Sequence, residues 1–399
     1  MRRQPTLRAA VSSVLAASIA VTAVSPALAQ RTDGQRTVGQ RPDISTDEGG
    51  LWAQSDKAET EAKTKAELNR DPDLTPYVRG VACKVAAEYC GDIRVYVMDR
   101  PYFNASMAPN GYMEVWSGLM LRARSESELA FVLGHEVSHF AHGHSLATWR
   151  TMKSRSNVGM VLMLAGGGIV GSLLYLGVMS TVFAFSREQE MEADRLAFER
   201  TVKAGYDPAA AAALWRSLRE ETAASDFPKT RTSDTRGSIF NTHPITPDRI
   251  AALDGLAAGR TTPSEGERTR YRAQIRKFLP AWLADDMRRR DYGQTLHLIN
   301  RLAADGEDLG VLEFYKGEAY RRRRLDGDQD KALAAYTAAS VHADAPVAVW
   351  RELGDMLAKA GKSAEAKAAW ETYLAKAVDA EDRWLVEANL KKLNEGTES

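Results

Sequence analysis

The stretch Leu133-Gly134-His135-Glu136-Val137-Ser138-His139 carries the H-E-x-x-H pattern within an apolar segment that has helical periodicity. Ser125 and Glu128 form a capping box that predicts where this helix begins. Side chains four residues apart share one face of a helix, so His135 and His139 can offer two imidazole nitrogens to one metal ion. Two neutral imidazoles suit Zn²⁺, and a catalytic zinc takes three protein ligands and keeps a position for water. The pattern therefore predicts one zinc ion per chain and a third ligand elsewhere.

His142 and His144 follow the motif closely. We expect them to lie on the same helix and to face solvent or support the ligands, rather than to bind the metal themselves.

Composition and the N-terminus bound the class of protein. The chain has 399 residues, 44% of them hydrophobic, and its 53 basic residues balance 53 acidic ones. That length suffices for two domains with apolar cores, and the balanced charge argues against a nucleic-acid partner. Basic residues precede an apolar run over residues 9–24, and Ala27-Leu28-Ala29 matches a small-x-small cleavage site. Residues 1–29 are therefore predicted to be a signal peptide, and the mature chain to be exported to the periplasm.

Residues 30–55 are polar without apolar periodicity, which predicts a disordered lead-in to a folded region at residues 56–258.

The two cysteines of the chain, Cys83 and Cys90, lie within this folded region. On one continuous helix the Cα atoms of Cys83 and Cys90 would lie about 10 Å apart, too far for a disulfide. Gly91, however, indicates that the helix ends near Cys90, and an oxidising compartment favours pairing. The sequence leaves the pairing open.

Two strands are predicted ahead of the metal-binding helix, at residues 93–98 and 111–116. The second strand ends with Met113, Glu114, Val115 and Trp116. One interpretation makes it a sheet edge on which an extended substrate pairs its backbone, which gives affinity with little sequence preference. The alternative is an ordinary strand that faces the core.

A helix start dense in carboxylates, residues 186–194, offers the third ligand. Glu190 and Asp194 are four residues apart and share a helix face. Glu190 can therefore bind the metal while Asp194 accepts a hydrogen bond from a ligand histidine and fixes its tautomer.

Residues 158–185 form a strongly hydrophobic run without charged residues that is long enough for a transmembrane helix. One crossing would place Glu190 on the opposite side of the membrane from the H-E-x-x-H helix, and two crossings need about 40 apolar residues. We therefore expect a hairpin, broken near the glycines at 166–168, that contacts a membrane surface; burial within the protein is the alternative. A G-x-G-x-x-G pattern in this run lacks a βαβ setting, so no nucleotide site is expected.

The motifs together resemble those of a known protease family. H-E-x-x-H at 135–139, E-x-x-x-D at 190–194 and Pro109-Asn110-Gly111 are similar to the zinc metalloproteases that include the CAAX prenyl endopeptidase, the HtpX heat-shock protease and the periplasmic β-barrel assembly-enhancing protease. The resemblance covers residues 70–255. The layout resembles that of the last of these, which is exported and carries tetratricopeptide repeats after its catalytic domain.

The resemblance implies a zincin-type α+β domain in which His135, His139 and Glu190 bind zinc and Glu136 is the general base. It also draws attention to His243 in Thr242-His243-Pro244. By analogy, His243 either closes the fourth metal position in a latent state or stabilises the oxyanion of the reaction.

The C-terminal part is predicted to be a helical repeat domain at residues 269–395, after a linker at 259–268. Ala332, Ala335 and Tyr336 recur 34 residues later as Ala366, Ala369 and Trp370. That spacing is the tetratricopeptide period, and such repeats form a concave surface for extended segments of partner proteins.

The sequence thus predicts a mainly α-helical, exported zinc metalloendopeptidase that cleaves misfolded or stalled envelope proteins. A zinc-bound water would attack the peptide carbonyl, with Glu136 as the group that takes its proton. The alternative is a periplasmic chaperone or scaffold whose repeats bind unfolded clients and whose zinc site is latent. Hydrolysis of a non-peptide substrate is disfavoured, because no motif specifies a small-molecule pocket.

Overall fold

The computed structural model describes residues 36–154, 185–231, 243–262 and 266–397. The predicted signal peptide and all but the last residue of the predicted hairpin at 158–185 lie outside these ranges. Within the described ranges, no helix has both the length and the apolar character needed to cross a membrane. The part of the chain in these ranges is mostly helical with one small sheet, as predicted.

The first described range holds the sheet and the helices around it. Its elements are α1 (Asp47–Ala62), α2 (Leu74–Ala86), β1 (Arg94–Met98), β2 (Ala105–Met107), β3 (Tyr112–Trp116), α3 (Ser117–Arg122), α4 (Glu126–Ala141) and α5 (His144–Ser154), with a 3₁₀ segment at Ala87–Asp92.

All elements described after residue 185 are helical. They are α6 (Arg187–Lys203), α7 (Ala210–Ala223), α8 (Pro228–Arg231), α9 (Pro247–Ala257), α10 (Glu267–Ile275), α11 (Leu279–Arg288), α12 (Tyr292–Ala303), α13 (Leu309–Arg323), α14 (Asp328–Ser340), α15 (Ala348–Lys359), α16 (Ser363–Lys376) and α17 (Arg383–Thr397), with a 3₁₀ turn at Arg276–Phe278.

The lead-in predicted to be disordered at residues 30–55 is wrong in its second half, because residues 47–55 belong to α1. Trp52 is buried, and the guanidinium of Arg36 lies 4.4 Å from its ring centroid and 4.2 Å from that of Phe140. Contacts between a cation and aromatic faces stabilise such a segment without apolar periodicity. The polar composition of this segment therefore did not reveal that it packs against the end of α4.

The position of β3 corrects a second prediction. The strand order is β1-β3-β2, with β3 parallel to β1 and antiparallel to β2. Met113, Glu114, Val115 and Trp116 therefore do not form a substrate-binding edge, because both sides of β3 are already paired. The edge strand next to the H-E-x-x-H helix is β2, which is not one of the two strands predicted from the sequence. The Met107 backbone N–H favours the ionised form of the Glu136 carboxylate.

A disulfide joins Cys83 to Cys90, the pairing that the sequence left open. Helix α2 ends at Ala86, and Ala87 adopts a positive φ of 51°. The chain reverses there, so the two cysteine Cα atoms lie 4.6 Å apart instead of at helical spacing.

The apolar core continues across the predicted linker at 259–268. Tyr271 of α10 and Leu283 of α11 belong to the same buried cluster as Leu133 of α4. The Tyr271 hydroxyl also donates to the Met120 carbonyl over 2.7 Å. A second cluster involves helices α13 to α17. The division of the chain into domains stays a prediction, and the helices that follow the linker pack into the core around α4.

A buried arginine links this core to α7 and α11. The Arg122 guanidinium lies 2.7 Å from the Glu221 carboxylate and 2.8 Å from that of Asp286. Thr295 donates a further hydrogen bond of 2.6 Å to Asp286. Burial opposes a charged Asp286, but Arg122 and Arg289 outweigh it and lower the pKa of Asp286 to about 2. This cluster holds three separated parts of the chain together.

We predict that Asp286→Asn lowers the free energy of unfolding at neutral pH by about 3 kcal/mol, the lower end for breaking a buried ion pair, because Glu221 still pairs with Arg122. The folded-state pKa is depressed, so the ionised carboxylate stabilises the fold above its unfolded-state pKa of about 4. That contribution is lost as the pH falls from about 4 to about 2. Urea unfolding of both proteins should show a difference that shrinks across this window.

Asp285→Asn is the matched control, because Asp285 lies on the same helix but pairs with the exposed Arg288. It should change stability by at most about 1 kcal/mol. Equal effects of the two substitutions would contradict the assignment of the stabilising pair to Asp286.

Candidate metal centre

Helix α4 is buried in the core along nearly its whole length. The Ser125 hydroxyl accepts a hydrogen bond from the Glu128 backbone over 3.2 Å, and the Glu128 carboxylate accepts one from the Arg124 backbone over 2.7 Å. From residue 127 to residue 141 every side chain is buried. The polar side chains of this helix must therefore find partners inside the protein.

Helix α6 crosses α4 closely and brings the carboxylates to the histidines. It begins with a capping box in which Ser186 and Gln189 bond to each other's backbone. Gly134 of α4 faces the backbone of Ala197 on α6, and a Cβ at this glycine would lie 3.6 Å from the Ala197 Cα. This close approach places Glu190 beside His135.

His135, His139, Glu190 and His243 converge, with one candidate ligand atom from each lying within 4.8 Å of the others. The Nε2 atoms of His135 and His139 are 3.0 Å apart, and each lies 3.5 Å from a Glu190 oxygen. The Nδ1 atom of His243 is 2.7 Å from Glu190 and 3.2 Å from His135 Nε2. All four side chains are buried. The structure thus brings together every residue that the sequence proposed for the metal.

This donor set fits a zinc ion. Imidazole nitrogens and a carboxylate oxygen are zinc ligands, and bonds of about 2.0–2.2 Å in tetrahedral geometry separate the ligand atoms by about 3.3 Å. No hydrogen bond of normal geometry from the described residues reaches either buried Glu190 oxygen. Two buried carboxylate oxygens without such partners favour a cation in the space between these side chains.

The charge states of the ligands follow from their surroundings. Burial opposes an ionised Glu190, but the three imidazoles outweigh it and hold the pKa of Glu190 well below its usual range. Burial lowers the pKa of His139, which favours the neutral imidazole that binds metals. Burial also disfavours a charged His135, yet Asp194 and Glu190 together raise the pKa of His135 to about 9 in the metal-free site. A metal ion therefore competes with a proton at His135.

Asp194 lies behind the ligands, where the sequence placed it. Its carboxylate is 3.0 Å from His135 Nδ1, so it can orient that imidazole with Nε2 toward the metal position. Burial opposes its ionisation, but the Arg249 guanidinium outweighs this effect and lowers the pKa of Asp194.

Arg249 is a site residue that the sequence did not single out. Its guanidinium donates to both Asp194 oxygens over 2.6 and 2.7 Å, and to the Pro244 carbonyl over 2.8 Å. The same group lies 2.7 Å from Glu190. Thr246 caps α9, so Arg249 occupies the first turn, where a positive charge opposes the helix dipole. In the sequence, this unfavourable placement alone indicated that Arg249 pairs with acidic groups from another part of the chain.

Glu136 lies beside the metal ligands without belonging to their cluster. It is buried, and its carboxylate is 3.9 Å from His243 Nε2. Burial raises the pKa of Glu136, which brings it closer to the value that a general base needs near neutral pH. Its Oε1 atom has no hydrogen-bond partner among the described residues.

Comparison with known proteins supports this chemistry. Residues 68–257, which include the whole cluster, match the sequence model of peptidase family M48. A putative β-barrel assembly-enhancing protease of Vibrio cholerae is 29% identical over 196 residues, 45% of this chain and 38% of that relative. The β-barrel assembly-enhancing protease of Escherichia coli K12 is 23% identical over 254 residues, 60% and 50% of the two chains. The mitochondrial metalloendopeptidase OMA1 of Homo sapiens is 27% identical over 172 residues, 41% and 32% of the two chains.

The matches leave much of each relative uncovered. The chain spans about half the length, or less, of these curated relatives. The similarity therefore bears on the peptidase region and not on the relatives as whole proteins.

We predict that Arg249→Gln lowers zinc affinity about 10- to 100-fold, the usual cost of losing a group that orients metal ligands. Without the guanidinium, Asp194 and Glu190 lose the cation that holds their carboxylates in place. Competition with a chromophoric chelator measures this change.

Arg216→Gln is the matched control, because Arg216 makes an exposed ion pair of 2.8 Å with Asp254. Its zinc affinity should equal that of the parent. Unchanged affinity in Arg249→Gln would show that this arginine does not support the ligands.

Proposed function

We propose that this chain, which carries a domain of peptidase family M48 at residues 68–257, is an exported zinc metalloendopeptidase of envelope protein quality control. The observation that carries the proposal is the buried cluster of His135, His139, Glu190 and His243 beside Glu136. It combines the ligand chemistry of zinc with an adjacent carboxylate whose pKa burial raises.

The reaction proposed is hydrolysis of a peptide bond. Zinc, when bound, supplies a Lewis acid that polarises the scissile carbonyl and lowers the pKa of water. Glu136 accepts the proton of the attacking water and later delivers it to the departing amine. Asp194 holds the His135 ring in its ligating orientation, and Arg249 keeps Asp194 and Glu190 in place.

The substrate backbone is proposed to pair with the outer edge of β2. Hydrogen bonds to β3 use the backbone groups of Asn104 and Ala108, and antiparallel pairing alternates along a strand. Ala105 and Met107 therefore direct their backbone groups away from β3, and the Met107 N–H favours the ionised form of the Glu136 carboxylate. An extended peptide on this edge would pass next to the proposed base, and backbone pairing would make recognition tolerant of sequence.

Export to an oxidising compartment and a role with envelope proteins complete the proposal. The disulfide between Cys83 and Cys90 supports an oxidising compartment. The predicted signal peptide at residues 1–29 supports export. Two of the relatives are named for β-barrel assembly enhancement, which supports unfolded or assembling envelope proteins as clients. Contact of the hairpin at 158–185 with a membrane surface belongs to the same proposal.

The C-terminal helices are proposed to be tetratricopeptide-like repeats that hold client segments. A Cβ at Gly317 would lie 2.6 Å from the Tyr336 ring, and one at Gly354 would lie 2.4 Å from the Trp370 ring. The same close approach of a glycine to an aromatic ring thus occurs in two successive helix pairs, α13 with α14 and α15 with α16. The two aromatic residues are 34 residues apart and the two glycines 37, so the repeated contact supports a tetratricopeptide period with three extra residues between Gly317 and Tyr336.

A second candidate function is a chaperone or scaffold with a latent zinc site. The observation that favours it is the position of His243. Its Nδ1 atom lies 2.7 Å from Glu190 and 3.2 Å from His135 Nε2, about as close as the other three candidate ligands lie to one another. A fourth protein ligand would occupy the position that water needs.

We predict that Glu136→Gln lowers cleavage of an unfolded protein by at least about 10²- to 10⁴-fold, the contribution of general acid–base catalysis. Zinc content should be unchanged, because Glu136 is not a ligand. Purified mature chain and variant are compared by digestion of a reduced, unfolded substrate, with metal content measured in both.

Glu188→Gln, a change at an exposed carboxylate of α6, is the control and should cleave like the parent. Turnover retained in Glu136→Gln would overturn the mechanism. If neither protein cleaves while both hold zinc, the latent scaffold is the better description.

We predict that His243→Ala raises kcat severalfold in the zinc-replete chain, because it vacates the fourth metal position and admits water. His342→Ala, a change of a histidine remote in sequence in the loop after α14, should leave turnover unchanged. A loss of turnover in His243→Ala would instead assign His243 to stabilisation of the oxyanion.

A further inference from the structure

The side of His139 opposite the metal position contacts another histidine. His139 Nδ1 lies 2.9 Å from His144 Nδ1, and both rings are buried. Helix α4 ends at Ala141, and Gly143 adopts a positive φ of 62°, so the chain turns and α5 begins at His144. The turn returns the His144 ring to the ligand, contrary to the expectation of one continuous helix.

The hydrogen-bonding capacities of the two rings fix their tautomers. His139 Nε2 faces the cluster, and a metal ion binds the lone pair of an unprotonated nitrogen. A neutral His139 that binds metal through Nε2 therefore carries its proton on Nδ1. His144 Nδ1 must accept that proton's hydrogen bond, so a neutral His144 carries its own proton on Nε2. That atom lies 3.4 Å from a carboxylate oxygen of Glu192, the group suited to receive it.

The two ligand histidines are thus supported by different chemistry. His135 faces the buried anion Asp194, which Arg249 neutralises. His139 faces a neutral imidazole, and the chain of contacts ends at Glu192, whose side chain is 45% exposed. A neutral imidazole accepts a weaker hydrogen bond than a carboxylate does, so it increases the basicity of the ligand nitrogen less. The main contribution of His144 is therefore to orient the His139 ring.

Phe185 shows why this orientation needs a hydrogen bond. Its ring stacks on His139 with centroids 3.9 Å apart and planes 24° apart. Stacking fixes the plane of the imidazole but does not distinguish the two orientations related by a flip of the ring. On the side of the ring away from the metal position, a partner for Nδ1 discriminates between them.

We propose that His144 is a positioning residue for the metal centre: by accepting the Nδ1 proton of His139, it sets the ring orientation and tautomer in which Nε2 meets the metal. This inference rests on the proposed zinc site. His142 provides a matched comparison, because it lies 3.9 Å from the same Glu192 carboxylate and 20% of its side chain is exposed.

The test compares four full-length chains: the parent, His144→Leu, His144→Gln and His142→Leu. Leucine removes the acceptor, whereas the glutamine amide oxygen can accept the His139 proton. Zinc affinity is measured by chelator competition, and thermal unfolding of the metal-free chains reports on the fold. We expect His144→Leu to lose about 10- to 100-fold in affinity. His144→Gln should recover part of that loss, His142→Leu should match the parent, and all four should unfold at similar temperatures.

Selective ¹⁵N labelling of histidine reports the tautomers directly in the zinc-loaded parent. We expect His139 protonated on Nδ1 and His144 protonated on Nε2 alone. A His144 protonated on Nδ1 would overturn the inference, as would full affinity in His144→Leu or no recovery in His144→Gln. A parent chain that binds no zinc would remove the proposed metal centre itself, whereas the preceding outcomes would leave that centre intact.

Discussion

The buried carboxylates of Glu190 and Asp194 impose the constraint that organises the candidate metal centre. They lie one turn apart on α6, both almost fully buried, and a buried anion is costly unless cations or donors surround it. Arg249 contacts both groups but brings a single positive charge. The Glu190 oxygens still lack hydrogen bonds of normal geometry from the described residues. In the metal-free site a proton on His135 supplies the second positive charge, and a divalent cation held with His135 and His139 takes the place of that proton.

Local sequence predicted the parts of the site that lie on single helices. The pairs His135–His139 and Glu190–Asp194 follow from the four-residue spacing of a helix face, and capping residues marked where α4 and α6 begin. Arg249 was missed because its pairing with Asp194 spans 55 residues and leaves no periodic trace. Its position in the first turn of α9 is explained by the carboxylates of α6, which lie beside it and pair with it.

Sheet order was also beyond local reasoning. Strand β2 has only three residues, Ala105–Met107, too few for an alternating pattern to indicate a strand. Its pairing with β3 nevertheless decides which backbone faces the proposed base. The prediction that the lead-in is disordered was wrong for a related reason, because Arg36 packs against aromatic rings that lie elsewhere in the sequence. The junction with the C-terminal helices likewise depends on Arg122, whose partner Asp286 lies 164 residues away.

We expect one zinc ion to occupy the buried cluster. Anomalous diffraction above and below the zinc absorption edge, from crystals of the mature chain grown with zinc, tests it directly. An anomalous peak should lie at bonding distance from His135 Nε2, His139 Nε2 and Glu190, within reach of His243. The absence of a peak between these four side chains in zinc-replete crystals would contradict it.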